Sequence, residues 1–275
     1  MSYTAVHIKC NEDLEETLSF LLQENGFDGT SYEQGNLIAY CNSGQFNELA
    51  LSDILNQFGL KAEQISEEKD QNWNQVWEDN FKDADIGEHI HSRAPFHPAK
   101  EVKHDIIILP KMAFGTGHHE TTQLSAISLE KLDCEGKTVL DMGCGSGLLA
   151  ILASQKKASR VLAVDYDIHC VENTRENIQL NAAVNVEILQ ADSIAHLNET
   201  FDVIVSNIVK NINLKLLPEF AQKLHPDGHL ILCGFIDTDI DQLVLAAEAH
   251  NLILIEQNIA NNWLQTQFKL SLIHI

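Results

Sequence analysis

The chain has 275 residues, more than most single domains, so one large domain or two unequal ones is the expectation. An apolar fraction of 44% is ordinary for a globular protein, while 40 acidic residues against 18 basic ones give a formal net charge of −22. That balance excludes broad contact with a nucleic-acid backbone and favours a basic partner.

The N-terminal MSYTAVHIKCNEDLEETL has neither a basic start nor an apolar core. No later apolar run approaches the roughly 20 residues of a membrane span, so a soluble, cytoplasmic protein is expected. Residues 1 to about 60 alternate short β-like runs, TAVHIK and LIAYC, with amphipathic stretches, DLEETLSFLLQENG and FNELALSDILNQFG. Leu14, Leu18, Leu21 and Leu22 follow helical spacing, and Gly26 sits where a glycine ends a helix. Two helices and about four strands in this order predict a small α+β domain of the split β-α-β kind. Residues 1–70 carry 13 acids and 3 bases, which makes either a solvated acidic surface or a docking surface for a basic protein.

Residues 64–81, QISEEKDQNWNQVWEDNF, are polar and acidic, with Trp73, Trp77 and Phe81 at i, i+4 and i+8. On a helix these rings share one face, either as the packed side of a connector or as a substrate contact. Residues 84–103 hold His89, His91, His97, Pro95 and Pro98 and read as a loop without a metal-ligand spacing. The run DIIIL (105–109) predicts a strand, and KMAFGTGHHETTQL follows, leading to a helical apolar pattern over Leu124–Leu132. A flexible loop entering a helix at this point can fold over a ligand, with Thr121 or Thr122 as helix cap or as ligand contact.

The stretch TVLDMGCGSGLLA (138–150) reads as strand, loop and helix: a β-branched run through Asp141, glycines at 143, 145 and 147, then apolar residues from Leu148. The dinucleotide pattern G-x-G-x-x-G differs in spacing, and Asp141 at the loop entry would repel a pyrophosphate. A cationic ligand end suits that acid better, such as the ammonium of the methionine part of S-adenosylmethionine. The next strand candidate, RVLAV, ends in Asp165, placed to accept from both hydroxyls of a ribose. A third, ending LQAD, delivers Asp192, which can accept from an adenine amino group. IHCVENTRENIQLN reads as a helix, with Val171, Ile178 and Leu180 apolar. FDVIVSN (201–207) is the fourth strand and brings Asn207 to the carboxyl end, the ligand side of open α/β sheets. Asn207 either orients an incoming amine or caps the helix expected at Asn211–Leu224. After the turn Pro226-Asp227-Gly228 come the strand LILC (230–233), a helix at Ile240–Ala249, and the strands LILIEQ and WLQTQFKLSL joined by Asn261-Asn262. Cys10, Cys41, Cys134, Cys144, Cys170 and Cys233 form no C-x-x-C pair, which fits reduced thiols.

Glycine turn and strand-end acids together resemble the class I S-adenosylmethionine-dependent methyltransferases. The segment Ala113–Thr122, the tryptophan-bearing acidic linker and Asn207-Ile208 narrow the resemblance to the bacterial ribosomal protein methyltransferases that modify protein eleven of the large subunit. Glu120 departs from the pattern, since many members have proline there.

The resemblance implies a Rossmann-like methyltransferase domain at 83–275 with a mostly parallel seven-stranded sheet. A ferredoxin-like substrate-recognition domain at 1–62 and a helical linker at 63–82 would precede it. Its implied cofactor is S-adenosylmethionine, held by Thr122, Gly143, Gly145, Asp165, Asp192 and Asn207, with Asn207 also the catalytic residue and no metal. The implied reaction is methylation of amino groups, lysine side chains or the N-terminal amine, on a basic ribosomal protein. A small-molecule methyltransferase and a non-enzymatic cofactor-binding scaffold are the competing expectations.

Overall fold

A computed structural model describes residues 2–11, 14–33, 35–69, 82–109, 111 and 113–271. The chain divides into two compact units, Met1–Phe81 and Lys82–Ile275. The aromatic residues Trp73, Trp77 and Phe81 lie outside the described residues.

The first unit runs β1 (Ser2–Lys9), α1 (Glu15–Glu24), β2 (Gly29–Glu33), β3 (Asn36–Asn42), α2 (Glu48–Gln57) and β4 (Ala62–Lys69). Its antiparallel sheet has the order β2-β3-β1-β4, the split β-α-β arrangement. Alternation puts Val6 and Ile8 of β1 with Leu37 and Ala39 of β3 on one face, where Leu18 and Leu22 of α1 and Leu51, Ile54 and Leu55 of α2 cover them. Asn47 caps α2 by accepting from the N–H groups of Leu49 and Ala50. The sheet extends to Lys69, seven residues past the expected boundary at 62, and residues 63–69 are strand where a helical linker was expected. Among the described residues β4 pairs only with β1, and its glutamate-rich composition hides it from a search for apolar alternation.

The second unit opens with β5 (Ala84–Ile86), β6 (Ile90–Arg93) and β7 (His104–Ile107), a three-stranded sheet over residues partly expected to be loop. His91 is fully buried there, and both ring nitrogens meet carboxylates: Nδ1 with Asp105 at 2.8 Å, Nε2 with Asp83 at 2.7 Å. Such a histidine reads as a loop residue until its two acids are brought beside it. There follow α3 (Glu120–Lys131), β8 (Thr138–Met142), α4 (Leu148–Gln155), β9 (Arg160–Asp165), α5 (Ile168–Leu180), β10 (Val186–Gln190) and β11 (Phe201–Asn207). The chain continues with α6 (Lys210–Lys223), β12 (Leu224–Ile236), α7 (Ile240–Glu248), β13 (Leu252–Ala260) and β14 (Trp263–Leu270).

Seven strands form one sheet in the order β10-β9-β8-β11-β12-β14-β13, the first five mutually parallel and β14 antiparallel to both neighbours. Asn261 and Asn262 both take left-handed backbone, φ 48° and 67°, as the β13–β14 hairpin requires. The order reverses at β8 and β11, which places the sheet's crevice at their carboxyl ends. One apolar layer, including Val139, Val161, Val205, Leu148 and Ile151, fills the α4 side; another, including Leu140, Ile204, Leu217, Phe220 and Phe268, fills the α6 side.

α3 packs differently from the expected apolar helix. Its buried positions include Thr121, Thr122, Ser125 and Ser128, and Gln265 of β14 donates to Ser128 Oγ at 3.2 Å. No helix among the described residues is long and apolar enough to cross a membrane.

The bond from His91, and secondarily Lys100, holds the Asp83 carboxyl below the ordinary carboxylate range. A depressed acid contributes stability above its unfolded pKa and loses it as pH falls through the folded one. The melting temperature of the wild type is therefore expected to drop more steeply below about pH 4 than that of Asp83→Asn, as followed by circular dichroism.

Candidate active site

β8 runs into a turn whose backbone comes close to two other segments. Gly143 has φ 77°, and a Cβ there would lie 2.0 Å from Ile208 Cγ2. Gly145 has φ 55°, and a Cβ there would lie 2.4 Å from the Phe114 carbonyl oxygen. Both positions need glycine for the conformation and again for the space. The N–H groups of Gly143 and Cys144 both donate to the Val164 carbonyl of β9, at 2.8 and 3.0 Å.

Asp141 straps the strand to the following helix, its Oδ2 accepting from Ala150 N–H at 3.0 Å. The side chain is fully buried and, among the described residues, Oδ1 has no hydrogen-bond partner. Burial, reinforced by nearby Asp165 and opposed by the Ala150 N–H, pushes its carboxyl up to about 7. An unmet acceptor at the turn entry fits a ligand with a cationic end. Asp165, at the end of β9, has both oxygens engaged by backbone: Oδ2 accepts from Gly145 N–H at 2.9 Å and Oδ1 from Asp167 N–H at 3.0 Å. Each oxygen keeps a lone pair for a further donor. Asp192 lies two residues beyond β10 and is exposed.

The 113–119 loop lies on this turn. Ser146 donates its N–H to the Phe114 carbonyl and its hydroxyl to the Gly115 carbonyl, both at 2.8 Å. From the three-stranded sheet, Ser92 Oγ donates to the Thr116 carbonyl at 2.8 Å. His119 caps α3, its Nδ1 accepting from Thr121 N–H at 3.2 Å, and its ring stands edge-on between Phe114 and Trp263 at 5.2 and 5.0 Å. Neither threonine is the cap. Thr122 is fully buried, and its Oγ1 accepts from Asn207 Nδ2 at 3.3 Å. Asn207 does not cap the next helix either, since that position belongs to Val209. Ile208, the next residue, covers the turn at Gly143.

The structure thus joins Thr122 to Asn207 and Gly145 to Asp165 directly, and brings Gly143 against the residue after Asn207. Among the described residues no cluster of His, Cys, Asp or Glu could hold a metal ion. Sequence reasoning missed His119, Ser146 and the asparagines of α5; the only available signal was the repeat of Asn173, Asn177 and Asn181 every four residues.

The family model described as Ribosomal protein L11 methyltransferase (PrmA) matches residues 36–271. A relative of that name from Phocaeicola vulgatus is 38% identical over 266 residues, 94% of this chain and 95% of that one. Another from Porphyromonas gingivalis is 39% identical over 264 residues, 94% of this chain and 91% of that one. Among solved structures, the ribosomal protein L11 methylase of Lactobacillus delbrueckii subsp. bulgaricus aligns with TM-score 0.64 and 27% identity, covering 68% of this chain and 98% of that one. A methyltransferase from Pyrococcus furiosus shares the fold at TM-score 0.52 and 20% identity.

An acid whose folded pKa lies above its unfolded value destabilises the fold when ionised. Between about pH 4 and 7 the native state holds the Asp141 proton and the unfolded chain does not, so this term falls as pH rises and levels off above 7. Subtracting the melting profile of Asp141→Asn from that of the ligand-free wild type should leave that downward slope. A flat difference would count against a raised Asp141.

Proposed function

The chain belongs to the ribosomal protein L11 methyltransferase family, and on that premise we propose that it methylates amino groups, lysine side chains or the N-terminal amine, of large-subunit ribosomal protein eleven. The observation that carries the reading is the bond between Asn207 and Thr122 beside a glycine turn at the carboxyl ends of β8 and β11.

S-adenosylmethionine, when bound, supplies the methyl group as an electrophilic carbon on a sulfonium. Gly143 and Gly145, packed against Ile208 and Phe114, would offer it backbone atoms of the turn, Asp165 would accept from its ribose, and Asp192 would accept from its adenine amino group. Thr122 lies at the base of the site. By accepting one N–H of Asn207 it fixes the carboxamide plane, leaving Oδ1 to accept from an incoming amine. A lysine amine, with an ordinary pKa near 10.4, must arrive neutral, and leaving water for a half-buried site favours the neutral form. Alignment is then the main task, and positioning of this kind is worth on the order of 7–11 kcal/mol.

The acidic N-terminal unit, with its sheet closed by β4, serves as the recognition domain for a basic ribosomal protein, while the net charge of −22 disfavours extended nucleic-acid contact. The reaction takes place in the cytoplasm, where the substrate protein is made. A small-molecule methyltransferase would use this unit for oligomerisation instead, and a non-enzymatic scaffold would bind the cofactor without turnover.

Incubation with radiolabelled S-adenosylmethionine and unmodified large-subunit proteins is expected to label protein eleven alone; label elsewhere would overturn the substrate. Asn207→Ala should lower turnover about 100-fold at saturating substrate with the fold intact, and unchanged turnover would remove Asn207 from the reaction. Asp165→Ala should weaken cofactor binding about tenfold or more by calorimetry, since it loses both the ribose acceptor and the anchor of Gly145.

A further inference from the structure

α5 carries Asn173 and Asn177, and Asn181 caps its C-terminus, so that the three stand at i, i+4 and i+8 along one side. Asparagine forms helix poorly, and Asn173 and Asn177 are buried, so the repeat costs stability unless each carboxamide is used. A carboxamide offers a donor and an acceptor, as a peptide unit does. Asn181 takes both polar groups of Ile107, accepting from its N–H at 2.9 Å and donating to its carbonyl at 2.7 Å. Two residues on, Leu109 donates its N–H to Asn177 Oδ1 at 2.9 Å, and its carbonyl accepts from Asn173 Nδ2 at 3.3 Å. The helix face acts toward alternate residues of this extended segment as a neighbouring strand would.

Asn177 also reaches the glycine turn. Its Nδ2, which donates to Asn173 Oδ1 at 3.4 Å, donates more closely to the carbonyl of Ser146 at 2.8 Å, and Ser146 holds Phe114 and Gly115 through its N–H and hydroxyl. A closed path therefore runs from Leu109 through Asn177 and Ser146 to Phe114, joining the extended segment, the glycine turn and the loop above it. We propose that Asn177 is a positioning residue for methyl transfer, one carboxamide that fixes the glycine turn relative to the 113–119 loop and so sets cofactor affinity without touching the cofactor. Without its Nδ2 donor the Ser146 carbonyl is a buried acceptor with no partner. The peptide relieves this by moving, and it carries with it the Gly145 N–H that Asp165 holds.

The inference rests on the methyltransferase reading, and three variants test it: Asn177→Ala, Asn177→Asp and Asn181→Ala. Asn177→Asp keeps the Leu109 bond and loses the Ser146 link, so it carries the test if Asn177→Ala does not fold. Asn181→Ala removes two bonds to Ile107 and none to Ser146, which controls for stability alone. Each is assayed well below its melting temperature, for kinetics with saturating protein substrate and for S-adenosylhomocysteine affinity by calorimetry. Both Asn177 variants are expected to raise KM for S-adenosylmethionine about tenfold with kcat changed less than about twofold, while Asn181→Ala leaves KM unaltered despite a lower melting temperature. An unchanged KM in the Asn177 variants, or an equal rise in Asn181→Ala, would overturn the proposal. If the wild type transfers no methyl group, the functional reading fails, and the calorimetric affinities still decide whether Asn177 positions the turn.

Discussion

Two side-chain volumes left empty, at Gly143 and Gly145, let three segments from distant parts of the sequence converge at the end of β8. Ile208 enters the first space and the carbonyl of Phe114 closes on the second. Because Ile208 follows Asn207 and Phe114 lies a few residues before Thr122, those two approaches bring the partners of the Asn207–Thr122 bond into reach. A methyl group added at either glycine would push apart the segments that make the site, as well as strain a left-handed backbone. The geometry at the proposed site is thus a product of close backbone packing.

The acids at the strand ends differ in what they do for the fold. Asp165 bridges the glycine turn and the start of the next helix, and each oxygen keeps a lone pair. Asp141 lies deeper and holds the helix behind the turn by Ala150, at the cost of a buried oxygen with no partner among the described residues. Asp192 is exposed and lies beyond its strand. The three differ in how much of their hydrogen-bonding capacity the protein itself consumes.

Much of this architecture was legible in the residues because its requirements are local. A strand ending in an acid, glycines at alternate positions and a paired-asparagine hairpin each state their backbone need within a few positions. Features made by residues brought together from afar were not legible. Buried polar faces, such as Thr122 and Ser128 of α3 or Asn173 and Asn177 of α5, look like solvent faces until the partner supplying their hydrogen bonds is known. The same holds for His91 between Asp83 and Asp105, and for His119 as cap, a position where Ser, Thr, Asp and Asn are the usual choices. β4 escaped for the opposite reason: an edge strand with charged side chains lacks the apolar alternation that reveals central strands.

The position of β14 bears on how the chain comes to be folded at all. β12 and β13 meet only through it, yet it follows both in sequence. A growing chain therefore presents the unpaired edge of β12, with its apolar Leu230, Ile231 and Leu232, until residue 270 has emerged. At cellular synthesis rates this vulnerable interval lasts on the order of seconds, long compared with local helix or hairpin formation. The parallel half can collapse early, whereas completion of the sheet is a late, long-range event.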